Sequence, residues 1–194
     1  MTEISDVAVY GLERAVISSK LPKATKVPDQ EYVFESDMNR AKKLGKVPTG
    51  TGHDNFLKGI TVYFTIKYPQ YLTPQLQRYH WIDIISSQSK MHLLHVLSKK
   101  DTFNEYVDDE IKAKILQYVD DYNNQEKIDR KYFAYMKLLS NLPMGFEMSM
   151  DIVTNYLQLK TIYLQRRNHK LKEDWGAFTD FCEKLPYFKQ LIGV

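Results

Sequence analysis

Four stretches carry polar and cationic side chains at spacings that could do chemistry. In the run Gln75-Leu-Gln-Arg78-Tyr79-His80, followed by Ser86-Ser-Gln88-Ser89-Lys90, a glutamine, an arginine and a lysine could converge on an anion from a helix and the loop after it. Arginine offers a rigid fork that matches phosphate, whereas lysine offers a point charge. The cluster Arg166, Arg167, His169, Lys170 and Lys172 closes a helical segment, where the helix macrodipole by itself stabilises cations. The segment Lys46 to Asn55 places Gly50 and Gly52 before His53, so backbone amides could approach a phosphate, but the P-loop spacing is missing. His92 and His95 sit one helical turn apart with His80 upstream, yet no carboxylate or cysteine motif joins them, so no metal site is expected. No serine lies in a nucleophile-elbow pattern, and no catalytic residue can be named with certainty.

Elements of both kinds must hold these groups. Val7 to Tyr10 predict a short strand and Leu12 to Ile17 the first turns of a helix. Prolines and glycines break Lys20 to Gly52 into loop, with one short helix around Ser36 to Leu44. Gly59 to Tyr68, rich in β-branched and aromatic residues, predict a strand with one buried face. Thr73-Pro74 reads as an N-cap and first turn, so a helix should carry Gln75, Arg78 and Tyr79 with Gln75 and Arg78 on one face. Beyond Lys100 the pattern turns helical, with one helix capped by Thr102, a second from Glu126 to Leu139, a third from Ser149 to Arg167 and a last from Lys172 to Leu185. The expected class is α/β, in the α+β sense, with a largely helical C-terminal half.

Composition limits the possibilities further. At 194 residues, with 43% hydrophobic and 26% charged residues, the chain has the size and balance of one folded domain, residues 1–194. Its formal charge of +3 is too small to mark a nucleic-acid protein but suits an anionic small ligand. No apolar run reaches membrane-spanning length and no basic-then-apolar leader opens the chain, so a cytoplasmic location is expected. The lone cysteine, Cys182, reads as a small buried apolar residue.

Taken together, His53, the strand from Gly59, and the run from Gln75 to Met91 resemble the core of the flavin-dependent thymidylate synthases, ThyX. That family carries a histidine in an H-x-[ST]-x-x-E stretch, an FTF-like strand, and a glutamine ahead of an R-H-R signature with later serine, arginine and tyrosine positions. A second block agrees in order and spacing: Leu142-Pro143, Asn155, Arg166, and Asp174 where the family ends in a glutamate. Segments 52–91 and 142–175 carry the likeness. The resemblance implies an antiparallel or mixed sheet in a homotetramer. It also implies FAD at subunit interfaces, dUMP stacked on the flavin, methylenetetrahydrofolate as carbon donor and NADPH as reductant. Carried over by position, it implies that Gln75 and Arg166 touch the pyrimidine nucleotide, that Arg78 faces phosphate and flavin, that His53 lies near the isoalloxazine, and that Asn155 helps hold FAD. Tyr79 and His80 complete the triad on the cofactor side, and Gln88, Ser89 and Lys90 occupy the family's substrate positions.

The sequence departs from the pattern at definite places. Tyr79 and His80 replace histidine and arginine of the triad, Gln88, Lys90 and Met91 replace serine, arginine and tyrosine, and Lys58 replaces a glutamate. Leu139 and Leu157 stand where the family has arginines. Two readings follow: a flavoenzyme modifying C5 of dUMP or a similar pyrimidine nucleotide, or a ThyX-like protein without catalysis that binds nucleotides or serves as an oligomeric interaction protein.

Overall fold

The computed structural model describes residues 1–94 and 102–194. Glu3–Tyr10 form strand β1, and Gly11 turns the chain into helix α1, Leu12–Ser18. Gly11 is required there: its φ is +78°, and a Cβ would meet the Gly59 carbonyl oxygen at 2.4 Å. Helix α2, Glu35–Gly45, follows the proline-broken stretch, as the sequence predicts. Strand β2, Thr61–Pro69, alternates as expected, with Val62, Phe64, Ile66 and Tyr68 all buried.

Three expectations fail in the next part of the chain. The helix at Thr73 is a single turn, α3, Thr73–Leu76, with Leu72 at the cap position and Thr73 already helical. Leu76 and Tyr79 bury, and the chain turns through hydrogen bonds from Tyr79 N–H to Leu76 O and from Ile82 N–H to Tyr79 O. It then enters strand β3, Asp83–Ser87, which alternation alone does not reveal because all five residues are exposed. Arg78 therefore does not share a helix face with Gln75. Helix α4, Lys90–Leu93, follows β3. Thr102 does not cap the next helix, because Phe103 is engaged in a bridge to Phe146 and buries with Val107 in a second small core. Helix α5 is Asp109–Asn123, with Asp108 at the cap, and α6 is Ile128–Ser140.

The largest correction concerns 149–167. Its first part is strand β4, Glu147–Asn155, and only Tyr156–Arg166 is helix, α7. Met150, Ile152 and Thr154 bury on one side while Asp151 is exposed on the other, a period of two that a search for helical stripes overlooks. Asn155 ends the strand and caps α7, its Oδ1 accepting the Gln158 N–H at 3.0 Å. Helix α8, Lys172–Lys184, matches the sequence reading, and α9, Phe188–Ile192, adds a turn beyond it.

The sheet is antiparallel throughout, in the order β1-β2-β4-β3. One face carries the main core, where α1, α2, α7, α8 and α9 supply Val16, Ala41, Ile162, Trp175, Phe178 and Phe188 among others. Cys182 is fully buried there, and burial, followed by the charge of Glu183, pushes its thiol well above the ordinary range. Helices α5 and α6 enclose the second core around Ile115, Val119, Leu138 and Phe146.

Two buried charges fix the region before β2. Lys160 of α7 is sealed from solvent and uses all three donors: Asp54 Oδ2 at 2.7 Å, Gly45 O at 2.8 Å and Val47 O at 2.6 Å. Asp37 of α2 accepts from Arg40 Nη2 and Gln30 Nε2, each at 2.8 Å, and from the Phe34 N–H at 3.1 Å. Burial alone would raise its pKa, but these hydrogen bonds and the charge of Lys20 prevail and lower it from 3.8 to about 2. Lys160→Met should destabilise the fold by about 3 to 5 kcal/mol in a denaturant titration, because Asp54 is left buried without its cation. Asp37→Asn should cost about 2 kcal/mol at neutral pH. A carboxylate with a depressed pKa stabilises above its unfolded value, so the gap between the two proteins should close as pH falls from about 4 to about 2, followed by thermal melts.

Candidate functional site

Arg166 ends α7 with its guanidinium held on three sides. Its Nε donates to Tyr79 Oη at 2.7 Å, Nη1 donates to Gln75 Oε1 at 3.2 Å, and its plane lies 4.5 Å from the centre of the Trp175 ring. Gln75 Oε1 also accepts the Trp175 indole N–H at 3.0 Å. Two obligate donors on one oxygen settle which way the Gln75 amide points. Tyr79 in turn donates to Gln165 Oε1 at 3.1 Å. Among the described residues no carboxylate pairs with Arg166 or Arg78.

A cleft of about 450 Å³ opens beside this arginine, lined by Arg78, Tyr79, His80, Trp81, Gln158, Thr161, Gln165 and Arg166. No acidic side chain is among them, so the cleft offers cations, amides and hydroxyls to an acceptor-rich ligand. His169, next along the chain, packs edge-on against Trp175 and accepts the Leu171 N–H at Nδ1. Burial, then the charges of Arg166 and Lys170, hold its pKa below the ordinary value, so His169 is neutral at pH 7. Of the basic cluster seen in the sequence, only Arg166 lines the cleft.

The other residues singled out in the sequence lie elsewhere. Gln75 stands behind Arg166 and is not part of the cleft lining. His53 is exposed in a separate, larger cleft of about 750 Å³ with Lys20, Lys23, Arg40, Asn55 and Phe56, which shares no residue with the first. The side-chain oxygen of Asn155 is occupied as the α7 cap. Gln88 extends the β3–β4 pairing, its Oε1 accepting the Ser149 N–H at 2.9 Å. Ser89 stands at the N-terminal cap position of α4 without a side-chain capping bond, and Lys90 Nζ donates to Gln70 Oε1 at 2.8 Å. Leu139 and Leu157, at the lost arginine positions, pack against the two cores. Asp174 is buried against Thr2 and Tyr71, not aimed at the cleft. Among the described residues no cluster could hold a metal, and His95 lies outside them.

Sequence reasoning did not single out Trp81, Gln158, Thr161 and Gln165 of the cleft lining, nor Trp175 beside it; nothing in their spacing links them to Arg166.

No family model and no curated protein matches this sequence. Among solved structures, the flavin-dependent thymidylate synthase ThyX from Helicobacter pylori complexed with FAD and dUMP matches with a TM-score of 0.65 and 15% identity, covering 97% of each chain. A second structure of Thymidylate Synthase X from Helicobacter pylori, with FAD and dUMP, matches with a TM-score of 0.67 and 16% identity over 99% of this chain and 97% of that one. This is a ThyX-like fold. At such identity the likeness extends to the ThyX architecture and not to individual side chains. No helix among the described residues is long and apolar enough to cross a membrane.

Arg166→Ala should weaken binding of inorganic phosphate by tenfold or more, about 1.4 kcal/mol per tenfold, in a calorimetric titration. Arg166→Lys should recover only part of the loss, since lysine lacks the planar fork.

Proposed function

We propose that this chain is a ThyX-like flavoprotein that binds dUMP or a similar pyrimidine nucleotide and modifies its C5. NADPH and methylenetetrahydrofolate serve as co-substrates where thymidylate synthesis is retained. The observation that carries the reading is the carboxylate-free guanidinium of Arg166, fixed by Gln75, Tyr79 and Trp175 at the wall of a cleft that also holds Arg78 and His80. A cation fixed without a counter-charge in an acid-free cleft is the arrangement a phosphate requires. The solved structures of similar fold carry FAD and dUMP, which agrees with it.

Arg78, Tyr79 and His80 line one cleft and His53 another, so the set does not fit a flavin enclosed within a single subunit. It fits one shared between subunits, each wall coming from a different copy, and a homotetramer of the 1–194 unit supplies such interfaces. Flavin would provide the hydride chemistry when bound. The chain's own part is to bind and orient: Arg166 and Arg78 neutralise the phosphate, and His53 and His80 border the planar ligand.

One observation favours a second reading, in which nucleotide binding or self-association persists without catalysis. Gln88 and Lys90 are hydrogen-bonded within the fold, and Leu139 and Leu157 are packed where arginines would otherwise reach a ligand.

The deciding experiment is the absorbance spectrum of purified protein after addition of FAD and removal of the excess, followed by a dUMP titration, with the mass measured by light scattering. The enzyme reading expects a retained flavin band, perturbed by dUMP, and a mass near four times 22.9 kDa. Absence of flavin with retained dUMP binding transfers the conclusion to the non-catalytic reading.

A further inference from the structure

The cleft beside Arg166 contains one group that the anion-binding account leaves unused. Trp81 is 65% exposed, the more exposed of the chain's two tryptophans, and lines the cleft together with the exposed side chains of His80 and Arg78. An indole left in water at that level is not contributing its area to the core. Its backbone is nonetheless anchored, because the buried Thr154 hydroxyl donates to the Trp81 carbonyl oxygen at 2.7 Å. The ring is thus presented from a fixed point at the entrance to β3, on the same cleft as a guanidinium that has no acidic partner. Aromatic faces beside cations are how proteins hold a planar ring that carries a negative group.

We infer that Trp81 is the stacking platform of this cleft, taking one face of the heterocyclic base of a nucleoside monophosphate whose phosphate is held by Arg166 and Arg78. The inference rests on the nucleotide-binding reading above and deepens it by naming the group that senses the base. It leaves the other face of the base open to a second planar ligand. It also assigns the two tryptophans separate work: Trp175, buried, fixes the arginine, and Trp81, exposed, meets the ligand.

The test compares two probes, dUMP and deoxyribose 5-phosphate, on the wild-type protein, Trp81→Ala and Trp81→Phe. Tryptophan emission reports the Trp81 environment directly, and Trp81→Phe leaves the Trp175 signal alone for subtraction. Expected are quenching of the Trp81 component by dUMP, loss of dUMP affinity by tenfold or more in Trp81→Ala, near-complete retention in Trp81→Phe, and sugar-phosphate binding within about twofold in all three proteins. Equal dUMP affinity in wild type and Trp81→Ala overturns the platform and leaves the nucleotide-binding reading standing. A Trp81→Ala protein that keeps its dUMP affinity but changes mass in light scattering also overturns it, by making the indole an interface residue. Absence of dUMP binding to the wild type overturns both.

Discussion

A lysine that no water reaches ties helix α7 to the segment that leads to His53. Lys160 and Asp54 form a fully buried ion pair, and the ammonium also satisfies the carbonyls that end α2 and begin the loop leading to His53. Removing two charges from water is expensive, and only complete use of the donors makes such a pair tolerable. That demand fixes α7 against the 45–54 segment. Six residues along the same helix is Arg166, which at about 100° per residue lies roughly 120° round the axis from Lys160. The cleft containing His53 and the cleft containing Arg166 share no lining residue.

Trp175 performs the corresponding service inside the cleft. Its N–H selects the orientation of the Gln75 amide, its ring supports the guanidinium, and its edge contacts Tyr79, His169 and Phe178. An arginine free in solution has many rotamers to lose on binding an anion; one already stacked and hydrogen-bonded has fewer. Tyr79 supports the same conclusion from the other side. Where the ThyX pattern has a charged or titratable residue, this chain has a phenol that contributes its ring to the core and its oxygen to Arg166. Tyr79 thus fixes Arg166 through its oxygen while it still lines the cleft.

The fold tolerates these exchanges because its stability comes from layers that the cleft residues hardly enter. The four strands and the helices over one face bury the main apolar core, which Leu157 enlarges, and Leu139 adds to the second core. Divergence in polar residues thus proceeds with the fold retained, and solved ThyX structures align over nearly the full chain at 15 to 16% identity.

The sequence by itself determined the elements whose periodicity is local. Thr61–Pro69, α5, α6 and α8 follow from alternation or helical spacing, and the buried state of Cys182 follows from its type. The order of Gln75, Arg78, Asn155 and Arg166 was equally legible, because spacing along a chain survives when residue identity drifts. Only the tertiary structure decided the rest. Strand β4 takes its form from pairing with β2 and β3 on either side, and Ile152-Val153 carries no mark that separates a central strand from a helix. The single turn at Thr73 is set by where β3 must start, and the burial of Lys160 by a carboxylate and two carbonyls more than a hundred residues away in sequence. The partners of Arg166 come from α3, the turn after it and α8; a side chain's pattern reports its own helix, whereas a site is made of what other elements bring to it.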